Sequence, residues 1–293
     1  MIFQNTVFGH VVSGSYEGNN NQNYCGLVSQ ISPIENLVEQ FWKIEDIKTN
    51  NNLSDEAIYC EEHFKLTHDR NADGRYIVKM PMKDEPPLLG ESRMIAKKRL
   101  DSLNKRLDKN PQMKILYSNF IEEYENLGHM ERVDECEVPC NNYYLPHHEV
   151  LKPDSSTTPV RVVFNASSPS SNGNSLNDVL LKGDVDEDLF DIIIRFRTHK
   201  YAFSADVQKM FRQILISPSQ RDYLRILWTD KSSQLQTFRL KTVTYGTASA
   251  PFLAIRTLRQ LAADESSSFP LASEAAMRDF YMDDILTGAN DLE

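Results

Sequence analysis

The stretch Phe280-Tyr281-Met282-Asp283-Asp284-Ile285-Leu286 limits the fold more than any other in the chain. Two adjacent carboxylates stand between apolar residues, the pattern of two short strands joined by a tight turn with both acids at its tip. Such a pair is either a solvated turn or part of a site for something positive. Carboxylates set beside a hydrophobic core are costly without a positive partner, and a divalent metal is the usual one. A third carboxylate on a neighbouring strand decides between the two readings. Phe203-Ser204-Ala205-Asp206-Val207 supplies it, with one acid at the C-terminal end of a largely apolar strand. The 203–206 strand is therefore expected beside the 280–286 hairpin, so that Asp206, Asp283 and Asp284 converge on one edge.

Three convergent carboxylates suit two Mg²⁺ ions, with Mn²⁺ as a substitute. One ion would lower the pKa of an attacking 3′-hydroxyl, and the other would neutralise charge on the phosphates and the leaving group. Phosphoryl transfer asks mainly for positioning and charge neutralisation, so a protein needs to supply little beyond such acids.

Bulk properties allow this chemistry. The 293 residues make one large domain or two ordinary ones, and 40% hydrophobic with 25% charged residues is ordinary globular composition. A formal net charge of -10 argues against a basic nucleic-acid coat protein, but not against an enzyme whose basic groups line a cleft. The four cysteines, Cys25, Cys60, Cys136 and Cys140, make no disulfide framework in a chain this long. Cys136 and Cys140, with His129, His147 and His148 nearby, match no regular zinc spacing. No apolar run reaches transmembrane length and no basic-then-apolar leader opens the chain. An intracellular, reducing setting is expected.

Along the chain, Met1 to Gly14 is β-like and Ser15 to Asn23 is a Gly/Asn-rich linker by composition. Leu37, Phe41 and Ile44 recur at helical spacing, and Ser54-Asp55-Glu56 opens a capped helix running through Cys60 to Phe64. Asp73-Gly74 turns into a strand over 75–80, and Glu85-Pro86-Pro87 is a break. Helices are expected over 92–107 and 111–127, the second punctuated by Pro111 and Gly128. The first carries Arg93, Lys97, Lys98, Arg99, Lys105 and Arg106, either a solvated face or a surface for a nucleic-acid backbone. From Val133 strands dominate: a hairpin over 143–151 and 160–164, then strands at 201–205, 213–216, 223–228 and 236–240. A helix over 187–197 should turn Leu189, Ile192, Ile193 and Phe196 inward, and another should span 250–262. The fold class is α+β, with helices packed against a mostly antiparallel sheet.

Three segments in order complete the pattern: Phe203-Ser204-Ala205-Asp206, Tyr245-Gly246-Thr247-Ala248-Ser249-Ala250-Pro251 and Tyr281-Met282-Asp283-Asp284. Together they resemble palm motifs A, B and C of reverse transcriptases, in the manner of Bel/Pao LTR retrotransposon polyproteins. Cys60-Glu61-Glu62-His63-Phe64, Asp73-Gly74-Arg75-Tyr76, Leu127-Gly128-His129-Met130, Tyr144-Leu145-Pro146-His147-His148 and 161–167 extend the likeness over nearly the whole chain. One four-residue match is weak, and several in the right order are strong.

The resemblance implies a polymerase fingers and palm of α+β type, preceded by a mainly helical connecting region. It divides the chain into 1–24 (the end of a retroviral-type aspartic protease plus linker), 25–130 (connecting region) and 131–293 (fingers and palm). It makes Asp206, Asp283 and Asp284 the catalytic, metal-binding aspartates, with the backbone carbonyl of Val207 as a further metal ligand. Phe211 falls where these enzymes hold a bulky residue against the ribose 2′-hydroxyl, its alternative being a core aromatic. Arg161 resembles an arginine that contacts the incoming triphosphate, and Lys152 is a candidate assistant. Gly246 would let the backbone approach template and nucleotide closely, and Tyr281 and Met282 of motif C would border the substrate. Tyr245 stands where many relatives carry glutamine, and Asn165 where this class usually carries aspartate.

The partners implied are an RNA or DNA template with primer, dNTPs and further Pol polyprotein domains, in the cytoplasm, a virus-like particle or the nucleus, with no membrane. Phe8 to Gly14 resembles the end of the protease, yet no Asp-Ser-Gly or Asp-Thr-Gly triplet occurs, so peptidase activity is not expected. With nine residues after Asp284, the primer-gripping hairpin, thumb, RNase H and integrase regions are expected to be missing. The alternative to an RNA-directed DNA polymerase fragment is a non-catalytic remnant that binds nucleic acid or a protein partner. An RNA-dependent RNA polymerase would share the acids, but the bulk of Phe211 disfavours ribonucleotides.

Overall fold

The computed structural model describes residues 2–6, 9–15, 23–28, 54–83, 89–134, 141–151, 160–185, 189–230 and 233–291. By contacts the chain divides into two units, Met1–Asn52 and Leu53–Glu293. The first holds an antiparallel meander of β1 (Ile2–Thr6), β2 (Gly9–Ser15) and β3 (Asn23–Val28). Ser15 pairs with Asn23, so the Gly/Asn-rich run joins two paired strands. The helix expected around Leu37 to Ile44 lies outside the described residues, as do the 85–87 break, Lys152, Cys136 and Cys140.

In the second unit, α1 (Asp55–Thr67) starts where the sequence says it should. Ser54 Oγ accepts the Ala57 N–H at 3.1 Å, and Ala57, Cys60 and Phe64 form the buried stripe. β4 (Asp69–Arg70) and β5 (Tyr76–Val78) follow as a hairpin turning at Gly74, whose φ of 82° suits glycine. Next come α2 (Arg93–Asp108) and α3 (Pro111–Asn126). The α2 stripe is Ala96, Leu100, Leu103 and Leu107; that of α3 is Met113, Tyr117, Ile121 and Tyr124. These spacings set one face of each helix against the core. The short β6 (Met130–Arg132) ends this segment, and the hairpin β7 (His147–Leu151) and β8 (Val160–Phe164) comes after it.

The remaining elements are α4 (Leu189–Thr198), β9 (Tyr201–Asp206), β10 (Leu215–Ile216), β11 (Arg225–Thr229), β12 (Leu235–Leu240), α5 (Ala250–Asp264), α6 (Pro270–Arg278), β13 (Phe280–Tyr281) and β14 (Asp284–Ala289). Single turns at Leu176–Val179 and Met210–Gln213 and a 3-10 helix at Pro218–Leu224 connect them. The α+β class stands, but the strands form several small sheets rather than one. β5 pairs in parallel with β10, and β12 lies between β11 and β6. Through β5 and β10, residues 76–78 of the expected connecting region pair with 215–216 of the expected fingers and palm, while residues 25–52 of that region belong to the first unit. β14 lies between β13 and β9. The 270–278 helix was not legible from periodicity: none of its residues is buried, so no apolar stripe marks it.

The core joins α1, α2, α3, the β7–β8 hairpin, β11, β12 and α5. Two polar groups are buried in it with their partners. Arg225, 1% exposed, donates from Nε and Nη2 to Asp222 Oδ1 at 2.9 and 2.8 Å and from Nη1 to Tyr144 at 3.2 Å. His147 donates from Nε2 to the Leu227 carbonyl at 2.8 Å and accepts from the Tyr117 hydroxyl at Nδ1. Burial without pairing would be costly for either group.

The sheet that carries the acids is covered differently. α4 packs on β14 and β13, and only Ile192 of its expected inward residues is buried. Leu189 and Ile193 are exposed (36% and 39%) and Phe196 is half-buried. β9, at the sheet edge, is exposed along its whole length, Phe203 included. The helix thus lies over the hairpin and leaves the edge strand open.

Candidate functional site

The hairpin forms as its residues require. Tyr281 pairs with Asp284, leaving Met282 and Asp283 as a two-residue turn. Met282 has a φ of 58°, the only positive value within that turn and the backbone of a type II′ connection. Asp283 sits in the turn, and Asp284 begins the second strand rather than sharing the tip.

Strand register brings in the third acid. Asp206 pairs directly with Asp284, and Ala205 with Ile285. Directly opposed residues of an antiparallel pair project from one face, with Cβ atoms about 5 Å apart. Beyond the strand end, the Val207 N–H donates to the Asp283 carbonyl at 2.8 Å, locking the turn against the end of β9. The Val207 carbonyl accepts from the Met210 N–H at 3.2 Å, which leaves it one lone pair for another ligand. All three acids are exposed to solvent, not buried beside the core as the sequence suggested. Their cost is mutual repulsion rather than desolvation, because like charges directly opposed weaken a sheet.

A cleft of about 600 Å³ opens in front of these groups. Six of the residues singled out in the sequence line it: Arg161, Asp206, Val207, Phe211, Tyr245 and Asp283. Arg161 arrives there by strand alternation. Val160, Val162 and Phe164 point into the core, so Arg161 between them points out, its guanidinium 5.7 Å from the Tyr245 ring centre. Phe211 is partly buried against the core and also forms part of the cleft wall.

Gly246, Tyr281, Met282 and Asp284 do not line this cleft. Gly246 has a φ of 97°, and a Cβ there would fall 2.2 Å from the Phe164 carbonyl oxygen. The close approach it permits is to the β7–β8 hairpin. Tyr245 also serves that hairpin, its hydroxyl donating to the Val162 carbonyl and its ring packing on Phe164. Asn165 accepts the Ser167 N–H at 3.0 Å, a local turn bond.

Sequence reasoning missed four groups in the cleft: Phe120, Glu123, Lys209 and Arg212. Lys209 and Arg212 follow Asp206 in the chain and were open to notice as cations beside an acid. Glu123 was not, since it reaches Lys209 from 86 positions away. The Lys209 ammonium beside Glu123 holds its carboxyl below the usual range. Behind the cleft, His129 is pushed down to about 4, first by burial and then by Arg212, Arg75 and Lys209. A larger cleft of about 1080 Å³ is lined by Asp108, Glu122, Glu125 and Asp230 with Lys114 and Arg132. It holds none of the residues read from the sequence as functional.

Three hard oxygen donors suit Mg²⁺ chemically. Among the described residues, however, no group of three or more His, Cys, Asp or Glu side chains is gathered closely enough to hold a metal ion. The two facts are compatible, because Mg²⁺ in phosphoryl-transfer sites is commonly bound through one or two carboxylates plus substrate phosphates and water. The zinc alternative loses His147, whose ring nitrogens are both engaged. Among the described residues no helix is long and apolar enough to cross a membrane. No family model and no curated protein matches the chain.

Proposed function

We propose that this chain carries the nucleotidyl-transfer centre of an RNA-directed DNA polymerase of the Bel/Pao retrotransposon kind. The observation that carries the reading is the register of Asp206 against Asp284, closed by the Val207–Asp283 bond. It accounts for three exposed acids held where a sheet gains nothing from them. The order of the three motifs in the sequence supports the same reading.

In this reading Asp206, Asp283 and Asp284, with the Val207 carbonyl, would hold Mg²⁺. When bound, the metal lowers the pKa of the primer 3′-hydroxyl and neutralises charge on the phosphates. The chain's own side chains position the substrates. Arg161, free to swing from an exposed strand face, binds phosphate oxygens of the incoming dNTP by charge-assisted hydrogen bonds. Phe211 sets the floor against which the sugar lies and leaves no room for a 2′-hydroxyl. The primer oxygen bonds to the α-phosphorus as pyrophosphate leaves, a displacement that depends on alignment more than on covalent help from the protein. Template, primer and dNTP are the partners, and an intracellular site of action follows from them.

Extension of oligo(dT) on poly(rA) with Mg²⁺ tests the proposal. Incorporation that Asp283→Asn abolishes supports it, and no incorporation at high protein concentration refutes it for this chain. A non-catalytic remnant is the second reading, favoured by the loose arrangement of the three carboxylates. That reading expects nucleic-acid or protein binding without incorporation.

A further inference from the structure

The cleft holds an ion cluster to which the roles above give no task. Lys209 Nζ lies 2.6 Å from Glu123 Oε1, and Arg212 Nη1 lies 3.4 Å from the same oxygen. The backbone that carries both cations is fixed, and the Arg212 side chain is packed as well. Lys209 has a φ of 55° and opens the turn Met210–Gln213, whose end is clamped by Arg75 donating to the Arg212 and Gln213 carbonyls. A lysine in left-handed backbone is strained, and such strain persists where the surroundings fix it. The Arg212 guanidinium is stacked 4.4 Å from the Tyr124 ring centre and 5.2 Å from that of Phe120, and the side chain is only 13% exposed. Glu123 is the most exposed of the three, at 47% on a helix surface against 36% for Lys209 and 13% for Arg212.

A half-exposed ion pair adds little to stability, so folding does not explain a strained lysine and a fixed arginine aimed at one carboxylate oxygen. That oxygen accepts from two cations at once, as a phosphate oxygen does. Resting on the polymerase reading, we propose that Glu123 is a displaceable stand-in for the polyphosphate of the incoming nucleotide. It neutralises Lys209 and Arg212 in the empty cleft and yields both when a triphosphate arrives. A polyphosphate brings several charges against one carboxylate and displaces it readily, while Glu123 swings into solvent at small cost. A single orthophosphate competes poorly. Glu123 thereby makes the cleft selective for polyphosphates, with Lys209 and Arg212 as the binding residues.

Calorimetric titration of the full chain with inorganic tripolyphosphate in EDTA reads this wall without metal or catalysis. The wild type should bind, and Glu123→Gln should bind about threefold to tenfold tighter and begin to accept orthophosphate. Lys209→Gln should bind about tenfold more weakly. Lys209 is preferred to the packed Arg212 for substitution, and melting curves verify that both variants are folded. Binding that Glu123→Gln weakens or leaves unchanged would mean the carboxylate positions the cations or does nothing, and overturns the proposal. So does the absence of binding by both wild type and Glu123→Gln. If the expected pattern occurs in a chain that extends no primer, the polymerase reading fails and the displaceable carboxylate stands. A chain that extends primers without the pattern reverses that outcome.

Discussion

Asp206 and Asp284 face each other across an antiparallel pair, where unlike charges would have served the fold better. The proposed function makes this a trade of stability for catalysis, and the trade is measurable. Asp284→Asn removes the repulsion while keeping the shape, so it should stabilise the chain by about 0.2–1 kcal/mol. The same change should lower nucleotide incorporation by at least ~100-fold, the usual scale for losing a group that acts on charge in the transition state. Urea melting and primer extension on one preparation check both. A destabilised Asp284→Asn would mean the carboxylate is held for structure. At this scale the sequence was informative where chemistry dictates residue type. The acids could be named from their pattern and motif order, and Arg161 from the resemblance of its hairpin. The contact of Gly246 with the Phe164 carbonyl was not foreseen, since a sequence shows that a residue must be small but not what approaches it. Glu123 was invisible because its partners lie on a different element.

Helices with a buried stripe could be read from the chain together with their packing, α4 could be read but not its packing, and α6 could not be read. α1, α2 and α3 each bury four or fewer residues at helical spacing, and α1 and α3 start at side-chain caps, Ser54 and Asn110. α4 was expected to bury a broad face and buries one residue, because it covers β13 and β14 while β9 stays open. α6 buries none and left no signal. The 280–289 hairpin is the element on which the site depends, and its weak point is Met282. A non-glycine residue at positive φ in the first turn position costs about 1 kcal/mol. Met282→Gly should remove that strain and raise the unfolding free energy by a similar amount, read from denaturant midpoints. A loss of stability would show that the Met282 side chain contributes more to the fold than its backbone costs.

On the scale of the molecule, the buried histidines set how the fold answers to acid. Burial pushes His147 down to about 4, whereas an unfolded histidine titrates near 6.5. Between those values the unfolded chain takes up a proton that the folded chain refuses, so stability is complete above about pH 6.5 and declines as pH falls towards 4. His147 alone accounts for a loss of about 3 kcal/mol over that window. His129, also pushed down to about 4, adds a second proton to the slope. His147→Gln cannot titrate, and urea melts from pH 7 to 4 should show its slope reduced by about one proton. An unchanged slope would mean that His147 already takes up its proton in the folded state. The whole chain was legible as α+β with a carboxylate strand beside a carboxylate hairpin, because local pattern and motif order agree there. Its division into several small sheets was not, since strand pairing over long separations leaves no local trace.

Asp206, set opposite Asp284, is proposed to work in nucleotidyl transfer. Single-nucleotide incorporation reads that role without the complications of processive synthesis. Wild type and Asp206→Asn, shown by melting to be equally folded, are given an RNA template, a DNA primer, Mg²⁺ and the one complementary dNTP. The wild type should lengthen the primer by one residue, and Asp206→Asn should do so at least ~1000-fold more slowly. Equal rates in the two proteins, or no lengthening by either, would contradict that role.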